Sequence, residues 1–158
     1  MSLARVNVLP WDDTFMAIAH VVKLRSKDPS TQVGACLVGE DKRILSLGYN
    51  GAPNGFSDDT FPWGKTGNEI DTKYPFVVHA ERNAILNFRG NLRELKGSSI
   101  FVTLFPCNEC SKEIIQTGVK EIVYQIMPEE NTIGIESSLL LLRECGVSFR
   151  KFEAKVHF

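Results

Sequence analysis

Two short segments, His79-Ala80-Glu81 and Pro106-Cys107-Asn108-Glu109-Cys110, dictate much of what this chain can become. One imidazole and two thiolates suit zinc, and three protein ligands leave the fourth tetrahedral position to water. No other Cys or His lies close by in sequence to close the site. Each segment opens a run with helical character. Two helix N-termini could then hold the metal between them at the edge of a sheet. The exposed amides and positive dipole end of a helix also favour thiolate over thiol at Cys107 and Cys110.

The remaining pattern supplies that sheet. Trp11 to Arg25 has apolar residues at helical spacing, with Asp12 and Asp13 suited to its N-terminal end. Pro29 then biases Asp28 away from helix. Val33 to Val38 and Ile44 to Tyr49 read as a hairpin about Gly39-Glu40-Asp41-Lys42. Ser99 to Leu104, Glu121 to Ile126 and, more weakly, Ser148 to Phe152 are further strands. Helices are predicted over Ala80 to Phe88, Cys107 to Thr117 and Ile133 to Cys145, the last two closed by Gly118 and Gly146. The order predicts an α/β fold: a three-layer α/β/α sandwich around a five-stranded mixed sheet, with an antiparallel first pair and parallel neighbours after the helical crossovers. Asn50 to Tyr74 is rich in Gly and Pro and lacks periodicity, and a loop of that length is usually functional or disordered.

The 158 residues fit a single domain, 1–158. A net charge of −1 speaks against a nucleic-acid polymer as the main partner, because binding one calls for a basic surface. A small phosphorylated ligand needs only a few cationic or helix-end contacts. No apolar run is long enough to span a membrane, and Met1-Ser2-Leu3-Ala4-Arg5 is too short and polar for a signal peptide, so a cytoplasmic protein is expected. With C-x-x-C among its four cysteines, metal or redox chemistry is favoured over disulfides. Cys36 and Cys145 lie in apolar runs and read as core; His20 and His157 read as ordinary structural residues.

Glu81 follows His79 closely enough to approach the open zinc position without binding the metal. A carboxylate there can take a proton from water and pass it to a ring nitrogen and a leaving amine, while zinc lowers the pKa of bound water from about 15.7 towards about 7. H-x-E followed by P-C-x-x-C is the pattern of zinc nucleobase deaminases, acting on cytosine or adenine rings. The blander alternatives are a redox C-x-x-C, a purely structural zinc site and a Glu81 that is merely a solvated helix residue.

At these residues the sequence resembles the cytidine deaminase superfamily, and further segments narrow the likeness to the deoxycytidylate (dCMP) deaminases. They are Arg25-Ser26-Lys27-Asp28-Pro29-Ser30-Thr31-Gln32-Val33-Gly34-Ala35, Gly48-Tyr49-Asn50-Gly51, Asp71-Thr72-Lys73-Tyr74-Pro75, His79 to Ile85, Leu104 to Cys110 and Gly146 to Phe152. The resemblance runs from about Trp11 to Phe152. It implies a cytidine deaminase-like fold and hydrolysis of dCMP to dUMP and ammonia, supplying dTMP synthesis. It implies a homo-oligomer, commonly a hexamer, activated by dCTP with Mg²⁺ and inhibited by dTTP.

By position, the resemblance makes His79, Cys107 and Cys110 the zinc ligands and Glu81 the proton shuttle. Asn50 matches an asparagine that contacts the sugar, and Ala80 a residue whose backbone contacts the base. Arg25, Ser26 and Lys27 fall where the 5′-phosphate is recognised, a role that a fork donor, a hydroxyl and a cation suit chemically; a solvated helix end is the alternative. Tyr124 is either a ring stacked on the base or core packing. Asn54, Gly55, Asp58 and Asp59 are the candidates for an allosteric nucleotide and its Mg²⁺, against a plain surface loop. Phe56 and Ser57 stand where some family members place a cysteine for a second zinc, so one zinc per chain is expected. Two other functions compete: deamination of a base within RNA or single-stranded DNA, which needs a basic channel or stacking platforms, and a non-catalytic zinc-stabilised nucleotide-binding domain.

Overall fold

The computed structural model of the chain describes residues 1–129 and 132–155, so His157 lies outside the described residues. The elements follow the order α1 (Trp11–Lys23), β1 (Gly34–Val38), β2 (Ile44–Tyr49), α2 (Ala80–Asn87), β3 (Ser99–Leu104), α3 (Asn108–Gln116), β4 (Glu121–Ile126), α4 (Ile133–Glu144) and β5 (Ser148–Lys151). Two single turns of 3₁₀ helix, Glu69–Asp71 and Leu92–Leu95, add to the sequence reading. Among the described residues no helix is long and apolar enough to cross a membrane.

The five strands form one sheet in the order β2-β1-β3-β4-β5. β1 runs antiparallel to both β2 and β3, whereas β3, β4 and β5 are parallel. The alternation of side chains along each strand sorts the core onto two faces. Ala35, Leu37, Ile100, Val102 and Ile122 meet Ala80, Ala84 and Ile85 of α2, Ile114 of α3, and Ile135 and Leu142 of α4. Cys36, Val38, Phe101 and Val123 point the other way, onto Phe15, Met16 and Ala19 of α1. The sandwich is therefore three helices on one face and one on the other. Burying each such large apolar side chain is worth about 1.5–3 kcal/mol.

Two glycines set how closely helices approach the sheet. A Cβ at Gly34 would lie 1.9 Å from the Ala19 carbonyl oxygen of α1. A Cβ at Gly48 would lie 2.2 Å from Ala80 O and 2.3 Å from Ala84 N, so only glycine lets the start of α2 rest on β2. Cys36 is a core residue as expected, and burial pushes its thiol up to about 12. Cys145 corrects the sequence reading: it caps the C-terminus of α4, where the helix turns its last residue outwards, and is exposed.

Candidate metal centre and nucleotide pocket

His79 and Cys107 occupy equivalent places, each the extended N-cap residue of its helix. Asn83 N–H donates to His79 O (3.0 Å) and Ser111 N–H donates to Cys107 O (2.9 Å), starting α2 and α3. The β3–α3 connection leaves the carboxyl end of a parallel strand, the usual place for a ligand site in an α/β sheet. Phe105 N–H donates to Ile126 O (2.9 Å), holding that connection against the end of β4.

Side chains fix both helices. Asn83 Nδ2 donates to Tyr49 O (2.8 Å), Asn87 Nδ2 to Leu47 O (3.0 Å) and Ser46 Oγ to Ala84 O (2.5 Å), binding α2 to β2. Ser138 of α4 donates to Pro106 O (2.9 Å) and shares a 2.6 Å hydrogen bond with Ser111 of α3. Arg82 of α2 reaches across to Glu113 of α3, its Nε and Nη2 lying 2.7 and 2.5 Å from one carboxylate oxygen.

The result is a compact donor cluster. His79 Nδ1 lies 3.5 Å from Cys107 Sγ and 3.4 Å from Cys110 Sγ, and all three donor atoms fall within 4.8 Å of one another. Zinc arms of about 2.1 Å to nitrogen and 2.3 Å to sulfur, opened to the tetrahedral angle, span about 3.6 Å. The donor types and their spacing therefore fit Zn²⁺ with a fourth position left over. The three donors compete for protons. Hydrogen bonding from Cys110 and then His79 holds the Cys107 thiol down to about 3, against the opposing effect of burial. Cys110, beside that thiolate and buried, is pushed up, and His79 is raised chiefly by its contact with Cys107. A divalent cation would relieve this crowding of shared protons and charge.

Glu81, in the first turn of α2, is 4% exposed. Burial pushes its carboxyl above the usual carboxylate range, only partly offset by His79. It lines a cavity of about 260 Å³ together with His79, Ala80, Cys107, Asn50 and Phe105. Asn50 is held from behind: Val33 N–H donates to its Oδ1 (2.8 Å), and its Nδ2 donates to Thr31 O (2.8 Å).

The other sequence candidates are distributed differently. Arg25 and Lys27 line a neighbouring cavity, with Asn50 common to both. Ser26 Oγ donates to Asn50 O (2.9 Å), and Lys27 is ion-paired with Asp58. Tyr124 lies edge-on to Phe105, ring centroids 5.0 Å apart, and the ring that reaches the cavity is Phe105. Asn54 lines a third cavity, Gly55 turns the loop at φ 93°, and Asp59 is exposed, its N–H donating to Ser57 Oγ. The loop candidates thus do not share one cavity. The loop itself is ordered by a small aromatic core. Phe61 is packed against Phe56 and Trp63 at 5.1 and 4.3 Å, and Gly51 and Val78 pair across its ends.

Sequence reasoning missed Asp28, Lys65, Lys73 and Tyr74 as lining of the Glu81 cavity. Asp28 and Lys73-Tyr74 each stand within a segment that carries the resemblance, and that is the available signal.

Fold and site together define a zinc-binding deaminase domain, and the chain belongs to the cytidine and deoxycytidylate deaminases: residues 9–126 match that family's zinc-binding region. Within the family it is 49% identical to the deoxycytidylate deaminases of mouse and human, over 96% of this chain and 84% of each of theirs. The dCMP deaminase of cyanophage S-TIM5, solved in complex with dCMP and dUMP, superposes with a TM-score of 0.70 at 31% identity, covering 89% of this chain and 95% of that one.

Proposed function

We propose that this chain hydrolyses dCMP to dUMP and ammonia. The observation that carries the reading is the placement of Glu81, buried and of raised proton affinity, in one cavity with the His79, Cys107 and Cys110 donors. The likeness to deoxycytidylate deaminases along nearly the whole chain supports the choice of substrate. His79, Cys107 and Cys110 would hold one Zn²⁺ per chain, which supplies a Lewis acid able to activate water at neutral pH. Glu81 accepts a proton from the attacking water. It passes that proton to ring N3 as the C4–O bond forms, then carries the second proton from the new C4 hydroxyl to the 4-amino group, which leaves as ammonia when the C4–N bond breaks. The backbone of Ala80 and the ring of Phe105 line the space for the base, and Asn50 that for the sugar.

The finer reading follows the family resemblance. The chain acts as one deaminase domain in the cytoplasm, within a homo-oligomer, commonly a hexamer, and its dUMP feeds dTMP synthesis. dCTP with Mg²⁺ activates it and dTTP inhibits it, through the Gly51 to Lys65 loop. The Lys27–Asp58 ion pair supports a link between that loop and the Arg25 to Lys27 segment, the family's phosphate position. The net charge of −1 favours a mononucleotide over a polymer.

The test is ammonia release from dCMP, deoxycytidine, CMP and a tRNA anticodon stem, with zinc measured in the same sample. Turnover of dCMP well above the others at about one zinc per chain supports the reading. Turnover of the RNA alone, or of nothing in a zinc-loaded sample supplied with dCTP and Mg²⁺, would overturn it.

A further inference from the structure

Asp28 sits just past α1 with its side chain 1% exposed, and its carboxylate joins three parts of the chain. Oδ1 accepts from Ser30 N–H (2.8 Å) and Thr31 N–H (3.1 Å), which fixes the turn leading to β1. Oδ2 accepts from Lys73 Nζ (2.5 Å) and, more distantly, from Asn50 Nδ2 (3.5 Å). Lys73 is nearly as buried as its partner, although it comes from the long loop between β2 and α2. All three side chains line the cavity that holds Glu81.

A buried ion pair is weak grounds for stability, since a packed apolar pair would serve as well. In the wall of a ligand cavity it can serve another end. Lysine has three N–H donors, and Asp28 fixes the direction of the ammonium by taking one, leaving donors for a ligand's oxygen atoms. Asn50 keeps one lone pair on Oδ1 beyond that used by Val33 N–H, so it can accept from a hydroxyl. The pair carries no net charge, so it reads a ligand by position rather than by bulk attraction.

We propose that Asp28 is a positioning residue for the nucleotide: it holds Lys73 as a donor and Asn50 as an acceptor toward the sugar-phosphate half of the substrate, and ties the long loop to the cavity. This rests on the reading of the chain as a dCMP deaminase. Asp28 makes no hydrogen bond to Glu81 or to the donor cluster among the described interactions, so its role is in binding and not in proton transfer.

The test is the steady-state kinetics of dCMP with Asp28→Asn, Lys73→Gln and the double variant, alongside thermal unfolding and zinc content. Each single change leaves the other charge buried without its partner and can fail to fold for that reason alone. The double variant removes both charges and keeps an amide pair of similar size. In it we expect KM raised about tenfold or more, kcat within about threefold, and zinc content and melting temperature close to wild type. A KM within about twofold of wild type in the folded double variant overturns the proposal and leaves the pair a structural strut. Wild-type protein that fails to turn over dCMP in the same assay sinks the functional reading first. Wild-type turnover with unchanged variant KM sinks the positioning role alone.

Discussion

Ser138, buried in α4, donates a hydrogen bond to the carbonyl of Pro106, the residue immediately before the metal-cluster residue Cys107. The same hydroxyl bonds Ser111, the residue after Cys110, so one serine on a third helix braces both ends of the C-x-x-C turn. Ser138→Ala would leave the Pro106 carbonyl without its donor. The expected cost is about 1–3 kcal/mol in unfolding free energy, with faster loss of zinc to a chelator. Thermal unfolding and chelator competition check this; wild-type zinc retention would show that the turn holds its shape without the brace.

Gly48 makes a similar point about α2. A methyl group at this position would collide with backbone atoms of Ala80 and Ala84, which cannot swing aside as a side chain can. Gly48→Ala is therefore expected to destabilise the protein by about 1–3 kcal/mol or more. It should also lower kcat, because the first turn of α2 carries Glu81. A variant with an unchanged melting temperature and rate would contradict this account of how the helix is seated.

Acid should weaken the fold partly through Asp28. Burial alone would push its carboxyl up, but Lys73 and the Ser30 and Thr31 amides outweigh that and hold it below its ordinary value of 3.8. A group with a depressed folded pKa contributes stability that is complete above its unfolded pKa and is lost as pH falls through the folded one. Melting temperature followed from pH 6 downwards should fall below about pH 4, and less steeply in the Asp28→Asn/Lys73→Gln variant. Parallel curves for the two proteins would contradict the assignment.

The parts of the site visible in the sequence are those written locally. His79-Ala80-Glu81 and Pro106-Cys107 each combine a helix start with its chemistry over a few adjacent residues, and the helices begin where that reading places them. The strands were equally legible, because alternation and flanking turns are local signals. Asp28 falls in a segment that carries the resemblance, yet no role beyond preceding Pro29 is legible there, since its partner Lys73 is 45 positions away and burial is a property of the folded chain. Tyr124 and Phe105 show the same limit: both are aromatic residues near the end of a strand, and only the packing of one ring against the other puts Phe105 at the cavity. Cys145 belongs to an apolar helix by sequence, yet its place in the last turn exposes it. The aromatic core of the long loop, centred on Phe61, has no periodic pattern to announce it.

The proposed proton transfer by Glu81 beside the three-donor cluster is read out by the rate of ammonia release from dCMP by Glu81→Gln and wild type at equal zinc content. The variant is expected to keep its zinc and its fold and to lose at least about 10²-fold in kcat. A rate within a few-fold of wild type would contradict it.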